Sequence, residues 1–429
     1  MAKDKISTMK TKLFLAGLFA LTINQTILSQ TDANGYTTVN LTTGPAYQNT
    51  VFYDFNENQM TVKPANSWDV AFFRNSAYSF GSRVNDAQDI KVYEASNDPA
   101  DWDAIDISNL STWGDPIYNP DQTTAIQDGA FEQGSASFGW GEYNTTTHHV
   151  EGTVIFVLSY PDESYIKFMI NDYFGGYTFK YSKWNGSAWG ETTTKTIANG
   201  TDEAFFNYFS FDTNEKVENF EPNKAWDLVF TRYYTFYNNY MMYHLSGAIQ
   251  NSNITVAKSQ PETQETSTIT PPAESEYSNN ITTIGHSWKP TSGYYDDVVY
   301  YVKEGNKYYR MYFIENGGAT TGNMYFKYKD ITASLGVKNI GNKASFGIYP
   351  NPTTEDKTVT LLFDVKQNDG SKGKTEIFDM TGKKVFETAL TNQSGLYKQE
   401  VNLSRLNAGV YIVKISYGGV TETKKLIVK

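Results

Sequence analysis

The heptapeptide Trp68-Asp69-Val70-Ala71-Phe72-Phe73-Arg74 returns later in the chain as Trp226-Asp227-Leu228-Val229-Phe230-Thr231-Arg232. As a strand with side-chain period two, each copy places Trp, an aliphatic residue, Phe and Arg on one face, and Asp with smaller or mixed residues on the other. Three further blocks repeat in the same order. Gly152-Thr153-Val154-Ile155-Phe156-Val157 is echoed by Asp297-Val298-Val299-Tyr300-Tyr301-Val302, and Ser164-Tyr165-Ile166-Lys167-Phe168-Met169-Ile170 by Tyr308-Tyr309-Arg310-Met311-Tyr312-Phe313-Ile314. Tyr177-Thr178-Phe179-Lys180-Tyr181 is echoed by Met324-Tyr325-Phe326-Lys327-Tyr328. Four blocks in one order indicate a tandem duplication of a whole domain, because solenoid repeats recur at only roughly 20 to 50 residues.

At 429 residues the chain has room for two such copies and a remainder, since domains run to roughly 150 residues each. Aromatic residues make up 15% of it, with 32 Tyr, while Thr, Asn and Gly abound and helix formers are sparse. That composition predicts an all-β protein. Short β-branched and aromatic runs separated by Asn, Asp, Gly and Pro predict sandwiches or barrels. Residues 98–134 break the rhythm as a long loop in the first copy, the kind of segment that often carries function. Their counterpart, 259–278, is polar enough to be expected mobile.

With no Cys, disulfides, thiolate metal sites and a Cys nucleophile are excluded. The formal charge is −11; residues 1–30 and 344–429 each carry +3, so the stretch between them carries −17. A surface this acidic repels phosphates, which argues against a nucleic-acid partner. The G-x-S-x-G elbow, H-E-x-x-H and the phosphate-cradling G-x-x-x-x-G-K-[ST] are absent. Asp54-Phe55-Asn56-Glu57-Asn58 opens like a calcium loop, but Gln59 stands where Gly is required and Ala65 where the bidentate Glu belongs. A carboxylate pair for glycoside hydrolysis is defined by spatial separation and stays open at this level. The expectation is a binding protein rather than an enzyme.

Residues 1–30 join a Lys-containing start to an apolar run at 13–21 and then polar residues. This reads as a secretory signal peptide with cleavage near 29–31, the apolar run being about half the ~20 residues a membrane span needs. The expected organisation is a signal peptide at 1–30, β-domains at 31–198 and 199–330, a linker at 331–345 and a final domain at 346–429.

Two resemblances follow from these motifs. The order of Trp-Asp strand, Phe138-Gly139-Trp140-Gly141 or Ile284-Gly285-His286-Ser287-Trp288 segment, aliphatic strand and closing Tyr-x-Phe-Lys-Tyr strand resembles the HmuY family, taken as two units over about residues 35–330. Those are secreted or surface-attached all-β haem-binding proteins, so the resemblance implies haem as cofactor, with iron held by two axial side chains that in the founding members are His. The candidates here are His149, His244 and His286, with Met241 and Met242 as soft ligands. The adjacent His148 and His149 point to opposite faces of a strand, so at most one of them serves. A surface adhesin or glycan-binding module without haem is the alternative. The second resemblance is to the type A sorting domain of the type IX secretion system. It rests on the motif Tyr349-Pro350-Asn351-Pro352, on the hairpin turn with Gly382, on Asn407-Ala408-Gly409 and on the terminal strand with Lys424 and Lys425. It implies a small sandwich of about seven strands, the secretion translocon and sorting machinery as partners, and delivery outside the outer membrane.

Overall fold

Alternating side chains and frequent turn residues leave this chain little choice but sheets. The computed structural model describes residues 24–26, 31–74, 79–200, 204–223, 226–237, 241–266, 269–332, 344–365, 373–390, 395–417 and 420–429. It is all-β. The early strands are β1 (Asn24–Thr26), β2 (Thr37–Val39), β3 (Asn49–Asp54), β4 (Gln59–Pro64), β5 (Val70–Phe73), β6 (Ser82–Val84) and β7 (Lys91–Ser96). Then come β8 (Gly141–Tyr143), β9 (Val150–Gly152), β10 (Ile155–Ser159), β11 (Tyr165–Tyr173), β12 (Gly176–Lys183), β13 (Thr193–Ala198), β14 (Phe206–Ser210) and β15 (Glu215–Val217). The second copy adds β16 (Leu228–Tyr237), β17 (Met241–Gln250), β18 (Ile254–Ser259), β19 (Val299–Glu304), β20 (Lys307–Phe313) and β21 (Phe326–Asp330). Apart from β1, which pairs with β4, the expected signal peptide lies outside the described residues.

Contacts divide the chain into one unit through Lys329 and another from Asp330 onward. In the first unit, the sheet β15-β14-β5-β6 faces β13-β12-β11-β10-β7, and the sheet β4-β3-β16-β17 faces β2-β21-β20-β19-β18. The two orders superimpose strand for strand if β13, β14 and β15 take the places of β2, β3 and β4. The hairpin preceding each Trp-Asp strand in sequence therefore pairs with the Trp-Asp strand of the other copy: β14 with β5, and β3 with β16. Strand pairing thus crosses the division expected at residue 198. One sandwich is built from residues 68–217, and the other from 31–64 together with 226–330.

Three apolar layers hold this arrangement. Val70, Phe72, Phe156, Phe168, Tyr177 and Phe179 fill the first sandwich, and Val51, Leu228, Phe230, Tyr300, Met311 and Phe326 the second. Between the sandwiches, Ala71, Phe73 and Phe206 meet Phe52, Val229 and Ile249. Trp68 and Trp226 belong to this middle layer and not to the face shared by Val70 and Phe72 or by Leu228 and Phe230. The single face expected for Trp, aliphatic and Phe fails because the strands begin only after the Asp, where the chain bends.

The bend has a purpose in the hydrogen bonding. Asp69 accepts from Phe211 N at 2.6 Å, and Asp227 from Phe55 N at 2.7 Å. Both amides lie just past the first strand of the exchanged hairpin. Asp69 N donates to Phe209 O and Asp227 N to Tyr53 O, while Asn85 and Asn251, each following the next strand, donate their side-chain amides to Trp68 O and Trp226 O. Each Trp-Asp motif is a clamp on the other copy's hairpin.

The long insertion closes a sheet. Its two 3-10 turns, Pro99–Ala104 and Ile107–Thr112, are capped by Asp98 and Asp106, whose carboxylates accept from Ala100 N and Ser108 N at 2.9 Å. Trp102 and Ile105 cover Ile155, Val157 and Met169 on the outer face of the first sandwich. Lys167 lies beneath, its Nζ 4.6 Å from the Trp102 ring centre and donating to Trp102 O. In the second copy the same position is Arg310, fully buried, paired with Glu262 at 2.7 Å and donating to Thr263 O and Gln264 O at 2.8 Å. Residues 262–264 are thereby pinned by a buried guanidinium, which corrects the expected mobility of that part of 259–278; residues 267–268 lie outside the described set.

The C-terminal unit is a sandwich of three and four strands: β22 (Ala344–Tyr349), β23 (Thr358–Val365) and β26 (Gly395–Asn402) against β24 (Lys374–Asp379), β25 (Lys384–Ala389), β27 (Gly409–Tyr417) and β28 (Val420–Val428). Gly382 supplies the left-handed turn at φ 82°. Asn351 brackets the last strand, its amide donating to Lys425 O at 2.7 Å and its carbonyl accepting from Ile427 N at 2.9 Å. Of the expected linker at 331–345, residues 333–343 lie outside the described set.

Candidate functional site

At one end of the second sandwich, β17 and the segment 286–291 wall a cavity of about 630 Å³. That volume lies within the ~300 to 1,000 Å³ range of small-molecule sites. Its wall is aromatic and soft: Tyr47, Tyr237, Met241 and Tyr243, with His244, His286 and Lys289. Ser246, Thr291 and Asn316 supply neutral polar groups. Tyr47 arrives from the N-terminal segment that the strand exchange delivers to this sandwich. It is held at φ 57°, a left-handed conformation that bulky residues avoid and that persists only where surrounding structure enforces it. The Arg232 guanidinium sits 5.7 Å from its ring centre.

The structure thus gathers three of the five sequence candidates, Met241, His244 and His286, around one cavity, and leaves Met242 and His149 outside its lining. The two His differ in what they offer. His244 lies flat on Tyr234, ring centres 4.5 Å apart, with Nδ1 3.7 Å from Asp89 Oδ1 and its side chain only 9% exposed. Both ring nitrogens are shielded from solvent, and burial beside the Arg232 cation outweighs Asp89 and the Asp86 backbone and pushes the imidazole down to about 4, so it is neutral at physiological pH. A nitrogen so covered meets no ligand without rearrangement. His286 shares a 2.9 Å hydrogen bond between Nδ1 and the Tyr233 hydroxyl, which orients the ring and leaves Nε2 as the atom available to a ligand. Burial, followed by Lys289, lowers its pKa, favouring the neutral imidazole that a metal or an acceptor requires.

Lys289 was not among the sequence candidates. Its Nζ donates to Ser246 Oγ at 2.7 Å and lies 4.9 Å from the Trp288 ring centre. Burial alone brings it down to about 8. Its position three residues past His286 and next to Trp288 was a usable signal.

In the first sandwich, His149 stacks on Phe174, rings 4.5 Å apart and within 3° of parallel, with Nδ1 2.7 Å from Asp172 Oδ1. His148, at φ 62°, turns away to the Tyr143 hydroxyl at 2.7 Å, so the two neighbours serve different partners. Among the described residues no cluster of three or more His, Asp and Glu could hold a metal ion.

Carboxyls with raised pKa lie elsewhere. Burial pushes Asp86 up to about 6, Glu132 and Glu221 to about 7, and Asp227 to about 8. Glu132 binds Ser82 N, Ser82 Oγ and Gly129 N, and Glu221 binds Phe205 N, Phe206 N, the Tyr208 hydroxyl and Trp226 Nε1. None of the four lines the large cavity. They pin loops from inside, which is a structural use of a perturbed carboxyl.

Comparison with known proteins adds one fact to this geometry. Residues 347–429 match the family described as the secretion system C-terminal sorting domain. The protein is therefore addressed for export by type IX secretion to the cell surface or extracellular space, and that secretion machinery is a partner. No curated protein matches the chain.

Proposed function

We propose that this is an exported, non-enzymatic binding protein that captures a planar, largely apolar ligand in the cavity beside β17, with haem the specific candidate. The observation that carries the reading is the convergence of His286 with Tyr47, Tyr237, Met241 and Tyr243 on one space of about 630 Å³. Aromatic walls suit a flat ring system, and an imidazole oriented through Nδ1 suits axial ligation through Nε2. Haem, when bound, would supply iron to be held by His286; Met241 is the other cavity-lining side chain with an accessible soft donor. His244 serves the site as a wall. The resemblance to the HmuY family supports the same reading.

Titration of the secreted protein with haemin tests it. The expected result is a Soret shift saturating at one haemin per chain and lost in His286→Ala but kept in His244→Ala. A spectrum that stays that of unbound haemin defeats the haem assignment. In that event the exposed Phe236, Tyr237, Tyr243, Tyr294 and Tyr295 favour a glycan-binding adhesin, because sugars stack on such solvent-facing rings.

A further inference from the structure

We infer that the ligand of this cavity is anionic as well as aromatic, and that Lys289 is the counter-ion for a carboxylate-type group on its ring system. The inference rests on the proposed ligand site and adds the charge of what enters it.

Among the described residues Lys289 makes no ion pair, and its one hydrogen-bond partner in the cavity is the neutral Ser246 hydroxyl. Buried cations elsewhere in the unit are satisfied either by a carboxylate, as Arg310 is by Glu262, or by backbone carbonyls and aromatic rings, as Lys167 is by Trp102; beyond Ser246, Lys289 has among the described residues only the Trp288 ring beside it. A half-buried ammonium facing an aromatic cavity without a carboxylate is costly until an anion arrives. Among the described residues no acidic side chain lines this cavity. That is notable in a stretch carrying −17, where a neighbouring groove is lined by Glu262, Glu265, Asp296 and Asp297. A flat ligand resting on Tyr47 and Tyr237 with its acid group at Lys289 would satisfy both the apolar wall and the lone cation. The Ser246 hydroxyl, already beside Nζ, is placed to donate to the same acid group.

The test is a fluorescence titration of the full secreted protein with protoporphyrin IX, with its dimethyl ester, and with anilinonaphthalene sulfonate. The diacid is expected to bind about tenfold more tightly than the ester, as one charge-assisted hydrogen bond warrants. Lys289→Gln should erase that preference by weakening the diacid far more than the ester, and Lys289→Arg should restore it. Equal binding of acid and ester, or a preference that survives in Lys289→Gln, overturns the inference even if haemin binds. Conversely, Lys289-dependent binding of the sulfonate with no haemin binding sustains the inference and sinks the haem reading. No binding of any of the three probes overturns both.

Discussion

Replacing Asp227 by Asn tests the clamp that joins the two repeats. Asp227 is 3% exposed and accepts the Phe55 amide at 2.7 Å. Burial raises its pKa from 3.8 to about 8, with the nearby Glu304 and Asp54 carboxyls adding to the effect. The folded protein therefore holds this proton more tightly than the unfolded chain. The resulting stabilisation is complete below the unfolded pKa near 4 and is lost as pH rises through about 8. Between pH 5 and pH 8 the unfolded carboxyl is ionised and the folded one largely protonated, so at 1.36 kcal/mol per unit the loss comes to about 4 kcal/mol. Asn does not titrate, and its carbonyl still accepts the Phe55 amide. Urea unfolding of wild type and Asp227→Asn, measured from pH 5 to 8, should show a stability difference that moves by about 4 kcal/mol in favour of the variant as pH rises. Asp86, Glu132 and Glu221 titrate in the same direction in both proteins and cancel in the difference. Parallel pH profiles for the two proteins would refute the reasoning.

Asp69→Ala leaves the Phe211 amide and the Tyr160 hydroxyl without their buried acceptor, and should cost about 2 to 3 kcal/mol in denaturant unfolding. Glu262→Ala strands the Arg310 guanidinium inside the protein and should cost about 3 to 5 kcal/mol, against a much smaller loss for the double replacement Glu262→Leu with Arg310→Met. Trp102→Ala uncovers the outer face of the first sandwich and should lower stability by about 3 to 5 kcal/mol. Removing residues 424–429 deletes most of β28, whose Ile427 bonds Asn351 and Thr353, so the protein should accumulate in the periplasm instead of reaching the surface or medium.

Strand content was legible because it is local. Period-two alternation depends on residues a few positions apart. The exchange of hairpins was not legible for a reason that follows from the duplication itself. The segments 49–64 and 206–217 each precede a Trp-Asp strand, and each offers an edge that fits either one. The observed pairing joins groups far apart in sequence, the Phe211 amide to Asp69 and the Phe55 amide to Asp227, and equivalent amides follow the first strand of both hairpins. A pattern that is the same in both copies carries no information about the choice between them. The same bend that lets Asp reach those amides also turned Trp68 and Trp226 into the middle layer, which strand alternation could not foresee.

The cavity was legible only by residue type. His is rare here, four in the chain, so each was a candidate, but type does not distinguish an imidazole covered by Tyr234 from one oriented by Tyr233. Tyr47 was beyond reach because it enters the site through the exchanged N-terminal segment, roughly two hundred residues ahead of the strand it faces. This ties function to the unusual topology. If sandwich two were built only from residues 199–330, the cavity would lack Tyr47 and the Arg232 guanidinium would lose the ring beside it. The clamp at Asp227, by holding 49–64 on β16, thereby also holds one wall of the site. A variant that loosens the clamp without unfolding the protein, such as Asp227→Ala at pH 5, should therefore weaken ligand binding although residue 227 lies outside the cavity lining. Ligand affinity unchanged in that variant would show that the wall and the clamp are independent.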